Sequence, residues 1–117
     1  MRINKYLFIL LVVEALSIPL FLTTILLIIS GYGIINPRVV NLLTFGLMNY
    51  ATSANLHTTE ILRISFTILV LIHSYGGLIL LSLRRIRNKL LKNIVSLLSS
   101  IITLYVFIIL ILSELLI

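Results

Sequence analysis

The sequence predicts an all-α membrane protein with three transmembrane helices, and three features of its 117 residues carry that prediction. The chain is 61% hydrophobic with a mean hydropathy of +1.27, well beyond the roughly 45–50% apolar content of a soluble domain. Its apolar residues gather into three runs of about the 18–20 residues that a helix needs to cross the hydrocarbon. Those runs are continuous, without the alternation of a barrel strand, and only helices or closed barrels satisfy every backbone polar group in lipid.

The first span covers about residues 6–29 and is interrupted only by Glu14 and Pro19. Arg2 and Lys5 ahead of it resemble the start of a cleaved signal peptide, but the run is too long and no small-residue cleavage site ends it. The second span covers about 64–83 and the third about 94–112. Between the first two lies an outer loop, residues 30–63, where Gly31, Gly33 and the Asn36-Pro37 pair are breakers expected to end the first helix. Within it, 39–50 reads as a short half-apolar helix along the membrane interface, and 51–59 as a small polar connection. Glu60 and Arg63 mark the return to the membrane. The whole chain, 1–117, is expected to form a single transmembrane domain.

Orientation follows from nine basic and three acidic residues, a net charge of +6. The loop 84–93 holds Arg84, Arg85, Arg87, Lys89 and Lys92 with no acid, and short loops rich in Lys and Arg stay cytoplasmic. Three spans then put the N-terminus inside, in agreement with Arg2 and Lys5, and the C-terminus outside. A basic loop of this kind can also attract anionic lipid or the acidic face of a soluble partner. Nucleic acid is not an expected partner, because the charges sit tight against the spans. The heavy use of Ile and Leu is consistent with a prokaryote, and the expected location is its plasma membrane as a multi-pass protein. The chain has no cysteine, which excludes disulfides, iron-sulfur ligation and thiol chemistry from its own residues. It also lacks a Gly-rich phosphate loop, a cluster of metal ligands and a nucleophile with its base, so it reads as a non-catalytic subunit.

Polar residues inside the spans are where chemistry should be sought, since each is costly in lipid. His73 stands near the middle of the second span, ten residues after Arg63 and eleven before Arg84, or roughly 15 Å from each at 1.5 Å per residue. A neutral imidazole at that depth suits an axial ligand of haem iron, with the second ring nitrogen left for a fixing hydrogen bond. Gly77 lies one turn further on the same face and would leave room for a flat macrocycle, with Gly76 widening the gap. The plainer reading is a histidine bonded to a neighbouring helix and glycines that allow close helix packing.

The sequence HSYGG in the second of three spans, with an inside N-terminus, a short cytoplasmic turn and a final apolar span, resembles the small membrane anchor of succinate dehydrogenases. The likeness covers roughly residue 64 to the C-terminus. It implies that His73 ligates a haem b shared with a sister anchor subunit, with Gly77 as the haem-facing gap. It also implies a quinone as substrate, a quinone site shared with the sister subunit, and soluble flavoprotein and iron-sulfur subunits on the cytoplasmic face. Where that family often carries an Asp-Tyr pair after the span, this chain has Arg84, Arg85 and Ile86.

Arg84 returns to nearly the face of His73 at the cytoplasmic end, where a guanidinium could pair with a haem propionate or simply anchor the topology. Glu14 could take part in proton transfer, or be a protonated acid bonded to a neighbouring helix. His57, sixteen residues before His73, is expected at the solvent or interface, too far away to share one haem. Ser96, Ser99, Ser100 and Thr103 make a small polar stripe on the third span that reads as a packing face. Two function classes emerge: an electron-transfer anchor, and a structural accessory subunit of a larger respiratory membrane complex with no cofactor of its own. A transport path is hard to build from so few intramembrane charges.

Overall fold

The computed structural model describes residues 4–116. Five helices follow in order: α1 Lys5–Ile35, α2 Pro37–Leu43, α3 Tyr50–His57, α4 Glu60–Arg85 and α5 Lys89–Leu115. The described residues contain no strand, and α1, α4 and α5 are long and apolar enough to cross a membrane. The protein is therefore an all-α membrane protein with three candidate membrane-crossing helices, as its hydropathy predicts.

At 1.5 Å per residue these helices are roughly 46, 39 and 40 Å long, against a hydrocarbon core of about 30 Å. Each outruns its apolar run: α4 begins at Glu60 and α5 at Lys89, a turn or more before the uninterrupted apolar runs that start at about 64 and 94. Hydropathy marks what lipid covers, whereas the backbone continues its hydrogen bonds into water. The charges at the ends of α4 suit the helix dipole, with Glu60 in the first turn and Arg84 and Arg85 in the last.

The long loop is more helical than its composition suggests. Gly31 and Gly33 do not break α1, which runs on to Ile35. Gly33 is instead fully enclosed, and a Cβ there would overlap the Ser53 side chain of α3. A glycine in a helix costs about 1 kcal/mol relative to alanine, which close packing can offset. The true stop is Asn36-Pro37: the proline disfavours helical geometry in the residue before it, and Asn36 caps α2 by accepting from the Val39 N–H. The helix expected over 39–50 ends early because Phe45 (φ 56°) and Gly46 (φ 86°) take left-handed geometry and turn the chain. The stretch 51–59, expected as a polar connection, is mostly α3. Asn49 accepts from the Thr52 N–H while the Thr52 hydroxyl accepts from the Asn49 N–H, a reciprocal cap that starts a helix in small polar residues. Asn88 caps α5 by accepting from the Leu90 and Leu91 N–H groups.

The chain divides into two compact units, one of residues 1–18 and 67–117 and one of 19–66, with α1 and α4 contributing to both. In the first unit, Lys5 and Lys92 line one groove and the Arg84 guanidinium lies 5.9 Å from the centre of the Tyr6 ring. The start of α1, the end of α4 and the start of α5 thus share one end of this unit, and its basic residues collect there.

Burial is inverted relative to a soluble protein. Among the described residues the large apolar side chains are mostly exposed, and only Leu62 and Leu80 among them are buried. Ser30, Ser53, Ser82 and Ser99 are the buried polar residues. Small residues at helix contacts with apolar side chains outward is the pattern lipid selects, because burying a leucine away from lipid gains little while close backbone approach gains dispersion contacts.

Candidate functional site

His73 lies near the middle of α4, thirteen residues after Glu60 and twelve before Arg85, or roughly 18–20 Å from either end. Its side chain is half-buried, and its Nδ1 is buried with no hydrogen-bond partner among the described residues. Leaving such a group unsatisfied costs about 1–3 kcal/mol. The simple packing role, a histidine bonded to a neighbouring helix of its own chain, is thus not met for Nδ1.

Gly76 and Gly77 are neighbours with different surroundings. A Cβ on Gly76 would come within 2.6 Å of Val13 Cγ2, so Gly76 is where α4 closes onto α1. A Cβ on Gly77 would meet nothing within 4 Å. Gly77, one turn from His73 on the same face, therefore opens outward, while Gly76 adds no width to that opening. Arg84 lies eleven residues after His73, roughly 16 Å along the axis and within about 20° of its face. It is exposed and spreads over the Tyr6 ring, a geometry that a cation and an aromatic face favour.

The residues present fit one half of a haem site. His73 would supply one nitrogen ligand and Gly77 an unobstructed surface, while the described residues contain no group of three or more metal-ligating side chains.

The other polar residues fall into two groups. His57, expected at a solvent or interface position, is half-buried: its Nδ1 lies 3.0 Å from the Ser30 hydroxyl, and its ring edge rests against Gly31. Ser30 is fully buried beneath it. The sequence signal for this contact is the close run of small residues Ser30, Gly31 and Gly33, of which the two glycines are expected from sequence as breakers and are contact points instead. Glu14 is exposed on α1, and the Ser17 hydroxyl donates to its backbone carbonyl at 2.6 Å. The Tyr75 hydroxyl of α4 and the Ser100 hydroxyl of α5 are 2.9 Å apart and Ser99 is buried, so the small polar stripe on α5 is a packing face in part.

The same stripe also borders a groove that sequence reasoning did not find. It runs between α1, α4 and α5, encloses about 720 Å³ and is walled by residues such as Phe8, Val12, Ile72 and Phe107. A smaller extension of about 260 Å³ shares Lys5, Tyr75 and Ile79 with it and adds Ser82, Lys92 and Ser96. His73 and Gly77 line neither part. The chain matches no family model, no curated protein and no solved structure.

Proposed function

We propose that this chain is a membrane-anchor subunit of a quinone-linked respiratory dehydrogenase of the succinate dehydrogenase kind, seated in the plasma membrane of a prokaryote. The observation that carries the reading is the position of His73: a histidine at mid-helix, one turn before an outward opening at Gly77 on the same face. In this reading His73 would hold a haem b together with a residue of a sister anchor. The haem, when bound, supplies one-electron transfer; the chain's part is to orient the imidazole and keep the adjoining helix face clear. Arg84, at the basic end on nearly the same face, would hold a propionate in place of its contact with Tyr6. The clustered basic end faces the cytoplasm, where soluble flavoprotein and iron-sulfur subunits dock, with quinone as the substrate shared with the sister anchor.

The exposed Glu14 favours the same subunit character, because an acid in the outer surface of a span needs a partner that lipid does not provide. It equally favours a second reading, a structural accessory subunit of a larger respiratory complex without a cofactor of its own. The deciding experiment is a reduced-minus-oxidised absorption spectrum of the complex purified with its native partners, wild type against His73→Ala. Loss of a b-type band with the subunits still assembled is the expected result. A spectrum unchanged by the substitution removes the haem ligand and leaves the accessory subunit.

A further inference from the structure

The groove in the unit formed by residues 1–18 and 67–117 is amphiphilic along its length. On α4 its apolar part runs from Ile68 to Ile79, roughly 16 Å at 1.5 Å per residue. That is about the depth of one leaflet of a 30 Å hydrocarbon core. The groove walls are almost wholly apolar over that length and suit flexible hydrocarbon chains. At one end the walls turn polar: Tyr75 and Ser100 bond to each other at 2.9 Å, and beyond them come Lys5, Lys92, Asn93 and Ser96. Two ammonium groups border that end, and no acidic residue lines either part of the groove.

We infer that this groove is a binding site for an anionic phospholipid, with hydrocarbon chain along Phe8, Ile72 and Phe107 and its phosphate between Lys5 and Lys92. Charge decides the class of occupant. A neutral amphiphile would fill the apolar part equally well but would leave the two lysines that line the polar end without a counter-charge. An anionic headgroup supplies that counter-charge, gains two charge-assisted contacts, and has the serine hydroxyls and the Asn93 amide for its remaining oxygens. The site also has the orientation such a lipid requires, because its cationic end coincides with the basic end of the unit, where Arg84 and the α4–α5 connection lie. This inference is independent of any haem at His73, which lies outside the groove.

The test is native mass spectrometry of the purified full chain in detergent, titrated with phosphatidylglycerol and, separately, with phosphatidylcholine of the same acyl chains. Phosphatidylglycerol should bind about ten- to thirtyfold tighter, the preference expected from two lysines at a lipid phosphate. Lys5→Glu with Lys92→Glu should reduce phosphatidylglycerol to the phosphatidylcholine level, and Thr103→Phe, which fills the apolar part, should weaken both. Arg85→Glu with Arg87→Glu, outside the groove, should keep the preference. Equal binding of the two lipids by wild type overturns the site. So does a preference lost as fully with the Arg85 and Arg87 pair as with the lysine pair, which would mean diffuse attraction to the basic end. Displacement of bound phosphatidylglycerol by a short-chain neutral quinone at equal concentration overturns it in favour of a neutral occupant. If the Lys5 and Lys92 variant does not fold, Lys5→Gln and Lys92→Gln taken singly should each cost about fivefold in phosphatidylglycerol affinity, and no loss in either overturns the site.

Discussion

The contact of α1 with α3 and the face of α4 around Gly77 use the same residue type to opposite ends. At Gly33 the missing side chain lets two helices touch: the position is buried, a Cβ would overlap Ser53, and one turn earlier Ser30 meets His57 at 3.0 Å. At Gly77 the missing side chain borders open space. A glycine in a membrane helix therefore says only that a side chain is unwanted. Whether the reason is a neighbouring backbone or an open surface depends on what the rest of the fold places opposite. Gly76, one residue from Gly77, belongs with Gly33, since it admits Val13.

Substitutions can break or sharpen this contrast. Gly33→Ala should have the largest effect, destabilising the protein by about 1–3 kcal/mol, because the Ser53 side chain must shift in a filled space. The midpoint of denaturation in mixed micelles checks it, and no change would mean α3 is not held against α1. Gly77→Ala should act in the opposite sense, raising stability by about 1 kcal/mol by the same measurement, as an alanine replaces a helical glycine with no clash. Gly77→Leu should leave the chain folded yet lower the haem content of the assembled complex, read from its absorption spectrum, if the open surface is a haem face. His57→Ala removes the bond to Ser30 and should cost about 1 kcal/mol, measured the same way. Tyr75→Phe should be the smallest, about 0.6 kcal/mol, the average for a hydrogen bond between membrane helices. A larger loss for Tyr75→Phe than for His57→Ala would reverse the view that the α1–α3 contact is the tighter of the two.

Much of the fold was legible before any coordinates. Continuous apolar runs located three helices, because lipid leaves a chain no alternative way to satisfy its backbone. Asn36-Pro37 marked a true helix boundary, since proline acts through local sterics alone. Gly31 and Gly33 misled, because their local helix cost is small and the contact that offsets it comes from residues some twenty positions later. The 51–59 stretch misled for the opposite reason. Its helix rests on the Asn49–Thr52 cap, a strong local signal hidden in residues that usually form loops.

The candidate site divides in the same way. His73 could be found by sequence because an ionisable residue in the middle of an apolar run is conspicuous, and its pairing with Gly77 on one face is helical arithmetic. That Gly77 is open and Gly76 closed depended on α1, whose Val13 is sixty-three residues away in the chain. The groove was out of reach for the same reason. Lys5, Tyr75 and Lys92 belong to three different helices, and nothing in their spacing brings them together. Composition and hydropathy thus determined the solvent, the number of crossings and the sign of the charged end, all properties summed along the chain. Tertiary structure alone decided which small residues touch and which leave space, because that depends on the side chains opposite them.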